Sequence, residues 1–391
     1  MLKIRLKRNK EKSVQRFHPW IFSGAIDAMQ KLQNGDHVEV ESHSGEFLAI
    51  GHYQHGSIAV RILSFEKRDI DQELYNERIA QAYAVRQSIG LVNNLKTNAF
   101  RLVHGEGDNL PGLVVDMYNG TAVVQFHSTG MLRDKDMIVN ALRTVLGDSL
   151  QCIYDKSSTT LPDTKSSDYR NGALFGTLGA NEALENGLRV CPDIEQGQKT
   201  GFFIDQRENR QRIEQYSRGR RVLNMCCYSG GFSLYALRGG AQLVHSVDCS
   251  ARAIEMTRRN VELNFPGDAR HDAFVADAFN YMQQTDQRYD LIILDPPAFA
   301  KHLNAVRNGM IGYRRLNARA MSIIEPGGLL FTFSCSQAVT KEMFRTEIFT
   351  AATLAHRQVR ILEQLTQPAD HPINIYHPEG EYLKGLLLYV I

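Results

Sequence analysis

From Gly219 onward, short apolar runs of strand character alternate with stretches of helical period. This alternation restricts the C-terminal half of the chain to a doubly wound α/β sheet. Strands are expected over 221–225, 243–247, 274–276, 289–294 and 329–333, with helices beginning near Gly231, Ala251, Ala278 and Arg314. Open sheets of this kind hold ligands in the crevice outside the carboxyl ends of their strands. The residues at those ends therefore carry most of the chemical information in the sequence.

The first strand runs into Cys226-Cys227-Tyr228-Ser229-Gly230-Gly231-Phe232, where glycine lets backbone approach a ligand closely. The second ends at Asp248, a carboxylate placed for the two hydroxyls of a ribose, and the third at Asp277, placed for the exocyclic amine of an adenine. Each acid alone reads more readily as the N-cap of the next helix. The fourth strand ends in Asp295-Pro296-Pro297-Ala298-Phe299, and the fifth, after the turn Pro326-Gly327-Gly328, ends in Ser334-Cys335-Ser336. A glycine turn and three acids at four successive tips describe an S-adenosyl-L-methionine site. A thiol and a carboxylate facing one substrate suit covalent activation of a pyrimidine ring. The turn is not G-x-G-x-x-G, which puts a dinucleotide dehydrogenase last among the readings.

A chain of 391 residues is too long for one compact core, and two or three domains are expected. Charged residues at 23% and hydrophobic residues at 43% fall in the range of folded globular proteins. No apolar run reaches membrane-spanning length and no secretory leader pattern opens the sequence, so a cytoplasmic protein without membrane attachment is expected. The six cysteines form no C-x-x-C pair and no cluster at zinc spacing, so neither disulfides nor a metal is expected. A net charge of +2 says little by itself about nucleic acid, and any such case rests on where the charge sits.

It sits first at the N-terminus. Lys3, Arg5, Lys7, Arg8, Lys10, Lys12 and Arg16 are opposed there only by Glu11, and Lys3-Ile4-Arg5-Leu6-Lys7 alternates as a strand with one basic face. Phe17-His18-Pro19-Trp20-Ile21-Phe22 follows with the chain's single tryptophan, and Gly pairs punctuate short β runs such as 37–40 and 58–63. This describes a small all-β module whose basic and aromatic side chains suit phosphates and bases, although a solvated basic strand explains the charge alone. The next segment, to Arg189, mixes a helix over 74–91, strands over 100–103, 112–115, 122–126 and 152–154, and a helix over 132–146. The loop His104-Gly105-Glu106-Gly107-Asp108-Asn109 lacks the odd-position spacing of a calcium loop and reads as a turn. The polar stretch 157–171 reads as a mobile surface loop.

Several stretches in order resemble one family: His18-Pro19-Trp20-Ile21-Phe22-Ser23-Gly24, Gly105-Glu106-Gly107-Asp108 with Leu110-Pro111-Gly112-Leu113, and Gly197-Gln198-Lys199-Thr200-Gly201-Phe202-Phe203-Ile204-Asp205-Gln206-Arg207. Asp295-Pro296-Pro297-Ala298-Phe299, Ser334-Cys335-Ser336, Asp370-His371-Pro372 and Tyr382-Leu383-Lys384-Gly385 continue the series. The chain resembles the bacterial large-subunit methyltransferases that make 5-methylcytosine in 23S rRNA and carry an N-terminal PUA domain. The resemblance implies a PUA-like RNA-binding domain over 1–70, an α/β middle domain over 71–190 and a Rossmann-like class I methyltransferase domain over 191–391. The departure is Tyr154-Asp155-Lys156-Ser157-Ser158, where relatives carry a Glu-Arg-Ser-Asp-like sequence.

The expected catalytic pair is Cys335 and Asp295. Cytosine C5 is too poor a nucleophile to take a sulfonium methyl directly, so Cys335 would add to C6 while Asp295 holds N4 and a protonated N3 of a flipped base, with Phe299 a candidate stacking partner. The expected cofactor-binding set is Arg207, Tyr228, Ser229, Gly230, Asp248, Ser250, Asp277, Ala278, Asp295 and Pro296. The expected RNA contacts are Arg5, Lys7, Arg8 and Trp20 of the N-terminal module, and Lys301, Arg314 and Arg315, which lie in a basic run that also holds His302, Arg307 and Arg319. The resemblance implies RNA as the partner, specifically 23S rRNA either free or in a large-subunit precursor, and self-association as a homodimer stays open. No second cysteine stands beside Pro297, so another group must remove the C5 proton, with His302, Lys301 and His371 as candidates. Two alternatives remain at this level: an exocyclic-amino nucleic-acid methyltransferase, which needs no thiol, and a non-catalytic RNA-binding ribosome assembly factor.

Overall fold

The structure, a computed structural model, describes residues 1–161, 169–180, 182–300 and 305–391. The chain divides into two compact units. Unit 1 is Met1–Gly187, Pro192–Ile204 and Ala369–Gly380, and unit 2 is Leu188–Cys191, Asp205–Pro368 and Glu381–Ile391.

Unit 1 holds two sheets. The first joins β1 (Leu2–Leu6), β2 (Trp20–Phe22), β3 (Ile26–Met29), β4 (His37–Glu41), β5 (Phe47–Tyr53) and β6 (Ile58–Ser64) in the order β2-β6-β5-β4-β1-β3. The alternation in β1 acts as a half-buried strand should: Ile4 and Leu6 enter the core, while Lys3 and Arg5 stay on the other face. That face is not purely basic, because Lys3 pairs with Glu41 and Glu39, and Arg5 lies 3.8 Å from Glu41. The second sheet joins β7 (Ala99–His104), β8 (Leu113–Tyr118), β9 (Thr121–Phe126), β10 (Cys152–Asp155) and β11 (Gly172–Gly176) in the order β11-β10-β9-β8-β7. Its core takes Leu74, Tyr75 and Ile79 from the helix Gln72–Ser88, and Ile138, Ala141 and Leu142 from the helix Lys135–Leu146.

One expectation changes here. The helix expected over 132–146 is two helices, Thr129–Arg133 and Lys135–Leu146, separated at Asp134. Asp134 is held from elsewhere: His37 Nε2 and His52 Nε2 each lie 2.9 Å from its Oδ2, and Tyr75 donates to the same oxygen at 2.6 Å. Of the polar stretch 157–171 expected as a mobile loop, residues 162–168 lie outside the described residues, and at its start Ser157 is buried and its hydroxyl accepts from Phe126 N–H at 2.8 Å. In the Gly105 loop, Asp108 forms a two-point ion pair with the buried Arg86, with contacts of 2.5 and 2.8 Å, which ties that acid into the packing of the turn. The short strands β12 (Ala183–Glu185), in unit 1, and β13 (Leu188–Val190), in unit 2, follow.

Unit 2 is the doubly wound part. Its sheet joins β14 (Arg221–Met225), β15 (Leu243–Asp248), β16 (His271–Val275), β17 (Tyr289–Leu294), β18 (Ile324–Ser334), β19 (Val359–Leu365) and β20 (Lys384–Val390) in the order β16-β15-β14-β17-β18-β20-β19. The first five are parallel, and β20 runs antiparallel to both β18 and β19. The helices Gly231–Arg238, Ala251–Asn264 and Ala278–Gln284 start where the sequence places them. The helix expected near Arg314 starts at Val306. Gly309 and Gly312 in its first turns weaken a helical reading, yet they are needed for packing: a Cβ at Gly309 would meet that of Ala300 at 2.9 Å, and one at Gly312 the Phe299 ring at 3.1 Å. Among the described residues no helix is long and apolar enough to cross a membrane.

Candidate active site

The strand tips of unit 2 gather the residues that the sequence singles out. After β14 the chain makes a tight turn in which Cys226, Tyr228 and Gly230 all have positive φ, at 57°, 47° and 78°. Left-handed backbone at two side-chain-bearing residues carries strain that surrounding contacts must hold, and such strain clusters at functional sites. The holding groups are present. Asp248 at the end of β15 accepts Tyr228 N–H at 3.0 Å, Thr257 donates to Tyr228 O at 2.8 Å, and Asn260 donates to Ser229 O at 2.9 Å. A Cβ at Gly230 would lie 2.7 Å from Thr257 Cγ2, so glycine is required there on both conformational and steric grounds.

Asp248 also accepts Ser250 N–H at 2.9 Å through its other oxygen, and the Ser250 hydroxyl in turn caps the following helix by accepting Ala253 N–H. Asp277, exposed at the end of β16, caps the helix Ala278–Gln284: its Oδ1 accepts Phe279 N–H and Asn280 N–H, each at 3.0 Å. The capping reading of this acid is thus realised, and because both bonds fall on one oxygen, Oδ2 can still serve a ligand.

Asp295 stands at the end of β17. Burial, reinforced by the negative charge of Asp205, pushes its carboxyl up to about 7, against the opposing pull of a hydrogen bond from Gln206 and the charge of Arg210. Asp205 accepts from Tyr382 hydroxyl at 2.8 Å through Oδ2, while its buried Oδ1 receives no hydrogen bond. Arg207 opens the helix Arg207–Tyr216 and is buried.

Cys335 follows β18 directly, and the two neighbouring serines organise its surroundings. Ser336 Oγ accepts Ala300 N–H at 3.2 Å and lies 2.9 Å from the Tyr313 hydroxyl, which ties the end of the Asp295-Pro296-Pro297-Ala298-Phe299 segment to the cysteine tip. In the parallel register of β17 and β18, Leu294 faces Thr332, so Asp295 and Cys335 close adjacent strands. Lys384 donates to Ser336 O at 2.7 Å. Phe299, a candidate stacking residue, packs against the Tyr313 ring at 4.8 Å between centroids. Cys226 and Cys227 are poor nucleophiles, since burial pushes the Cys226 thiol far up and the Cys227 thiol up to about 12.

The expected RNA contacts scatter. In unit 1, Trp20 donates its indole N–H to Glu106 at 2.8 Å and packs edge-on against His377 at 4.3 Å, and Lys7 donates to Gly24 O at 3.1 Å. Arg8 is exposed. In unit 2, Arg314 pairs with Glu347 at 2.5 Å and Arg315 lies over the Phe279 ring at 5.3 Å. Lys301 and His302 lie outside the described residues. His371 belongs to unit 1, where its Nδ1 lies 3.1 Å from Asp370. Sequence reasoning assigned no role to Asp205, Tyr313 or Lys384. Asp205 and Lys384 stand inside the stretches that carry the family resemblance, but no period or spacing marks them as site residues.

Comparison with known proteins agrees with this geometry. Residues 101–387 match the family described as S-adenosylmethionine-dependent methyltransferase, and residues 4–65 match a PUA-like domain. Proteins named ribosomal RNA large subunit methyltransferase I from Tolumonas auensis and Aeromonas hydrophila are each 38% identical, with 99% and 98% of this chain covered and the same shares of theirs. A Streptococcus mutans structure described as a SAM-dependent methyltransferase superposes with a TM-score of 0.85 at 23% identity over the full length of both chains. Another methyltransferase structure, complexed with SAH, gives 0.86 at the same identity and coverage. The fold is thus a PUA-like domain followed by a Rossmann-like methyltransferase domain, and the cofactor is S-adenosyl-L-methionine. A strained glycine turn braced by Asp248, acids closing the neighbouring strands and full-length likeness to curated relatives together place this chain in the ribosomal RNA large subunit methyltransferase I family of S-adenosylmethionine-dependent methyltransferases.

Proposed function

We propose that this protein methylates C5 of a cytosine in large-subunit rRNA through a covalent bond between Cys335 and C6. The observation that carries the proposal is the meeting of two adjacent parallel strand ends, one bearing a carboxyl that keeps its proton to about pH 7 and the other a cysteine, with their loops joined at Ser336. Protonated Asp295 donates to N3 of the flipped base and becomes a carboxylate. N3 protonation makes C6 electrophilic, the Cys335 thiolate adds there, and C5 gains the electron density of an enamine. S-adenosylmethionine supplies the electrophilic methyl group. A base or solvent water then takes the C5 proton, the C5–C6 double bond re-forms as the C6–S bond breaks and the Cys335 thiolate leaves, and N3 returns its proton to Asp295.

The residues present fit that cofactor. Asp205 Oδ1 is a buried acceptor without a donor and lies near a second carboxyl, which suits a ligand carrying sulfonium and ammonium charges. Arg207, Tyr228, Ser229, Gly230, Asp248, Ser250, Asp277, Ala278, Asp295 and Pro296 form the cofactor-binding set of this proposal. RNA binding is assigned to Arg5, Lys7, Arg8, Trp20, Arg314 and Arg315, together with Lys301, and the functional division stays 1–70, 71–190 and 191–391.

The test uses RNA carrying 5-fluorocytosine at the target. Fluorine cannot leave as a proton, so elimination stalls and a methylated covalent adduct accumulates on denaturing gels. Cys335→Ala should abolish both adduct and turnover. Full activity in Cys335→Ala, with the methyl group on N4, would refute the mechanism.

A further inference from the structure

The mechanism needs a thiolate from Cys335 and a group to balance that charge each time it forms and departs. We propose that Lys384 is this partner: its amine takes the Cys335 proton, and the resulting ammonium holds the thiolate beside it. The inference rests on the proposed function only for the identity of the nucleophile.

The geometry is set by the sheet. β20 runs antiparallel to β18 with Lys384 directly opposite Ser334, the residue before Cys335. The Lys384 side chain then spans the tip and donates to the carbonyl of Ser336, the residue after Cys335, at 2.7 Å. One amine thus brackets the cysteine through its two neighbours. Gly385 allows this close approach of the strands, since a Cβ there would lie 2.6 Å from the Phe333 ring. Lys384 is only 5% exposed, an unusual place for an ammonium, which is ordinarily kept in water.

The electrostatics agree with the geometry. Burial pushes the Lys384 ammonium down to about 8, close to the ordinary thiol range, so the proton can pass between the two groups at little cost. The charge of Cys335 and that of Glu381 act the other way, and Lys341 adds to the downward push. Lys341 and Glu381 are themselves paired. Tyr313, facing the tip from the helix Val306–Ile323, has its hydroxyl pushed up chiefly by burial and also by Cys335, so it stays neutral. In the transfer, the S–H bond of Cys335 breaks and its proton binds the lone pair of Lys384 Nζ, leaving thiolate and ammonium with no other reactant.

The test follows the thiolate directly. Full-length protein is alkylated with iodoacetamide from about pH 5.5 to about pH 9.5, and modification of Cys335 is read by peptide mass spectrometry. A neighbouring cation shifts a thiol by about 1–3 units, so the wild-type midpoint should fall below about 8.5, the value of an unperturbed thiol. Lys384→Met should raise it by at least about one unit. The rate well below the midpoint should fall about threefold per unit, because the more basic thiolate is also more nucleophilic. Lys384→Arg should keep the low midpoint. The same midpoint in Lys384→Met and wild type would overturn the proposal. So would a wild-type midpoint at or above about 8.5, whether or not the variant folds. Absence of the 5-fluorocytosine adduct would overturn the C5 reading instead and leave the alkylation curves standing.

Discussion

Asp277 offers a decisive experiment because one carboxylate is given two tasks. Its Oδ1 caps the helix Ala278–Gln284 through Phe279 N–H and Asn280 N–H, while the cofactor assignment asks Oδ2 to accept the adenine amine. Serine separates the tasks: its hydroxyl is a good N-cap but offers no second oxygen. Loss of the cap in Asp277→Ala should cost about 0.5–2 kcal/mol, lowering the melting temperature by about 2–4 °C per kcal/mol for a unit of this size. Asp277→Ser should melt close to wild type. Loss of the ligand contact should cost about 1–3 kcal/mol in both variants, which is about fivefold to about 150-fold in Kd. Calorimetric titration with S-adenosylhomocysteine and thermal denaturation without it measure the two effects separately. Wild-type affinity in Asp277→Ser would show that this acid is a cap and nothing more.

Two further outcomes follow from protonation. Because the Asp295 carboxyl holds its proton up to about 7 and the protonated form is the one that donates to N3, kcat/KM should decline as pH rises through that value; an unchanged decline in Asp295→Asn would remove Asp295 as its source. Burial lowers His127 and His271 to about 4, below the ordinary value near 6.5, so the folded state keeps both neutral. Their stabilisation is present above about pH 6.5 and is lost as pH falls toward about 4, reaching roughly 2 kcal/mol each at about pH 5. Urea midpoints at neutral and mildly acidic pH should show the loss, and His127→Gln with His271→Gln should reduce it; equal wild-type midpoints at both values would refute it.

Much of unit 2 was legible because its signals are local. A strand of five or six apolar residues ending in Asp or Cys announces both an element and its tip, and the parallel sheet order then brings the tips together. The signals failed where a contact joins distant positions. Nothing near Leu132 shows that the helix breaks at Asp134, since its partners His37, His52 and Tyr75 come from two strands and another helix. The start of the helix at Val306 was hidden by Gly309 and Gly312, which are disfavoured for helix formation yet required by Phe299 and Ala300. Lys384 looks like any strand-edge lysine until β20 is seen lying against β18.

The segment Ala369–Gly380 belongs to unit 1, and this sets a timetable for synthesis. Arg86 donates to the carbonyl of Asp370, a residue 284 positions further along, and Asp370 accepts Arg101 N–H at 2.9 Å. At about 5–20 residues per second, a ribosome adds Asp370 about 15–60 s after Arg86. Asp108, only 22 positions after Arg86, is available for most of that interval, so a growing chain can bury the charge without waiting for its last acceptor. The nascent N-terminal part is therefore expected to be compact early but sealed late, with the helix Gln72–Ser88 and strand β7 among the last of its elements to gain full protection from solvent exchange.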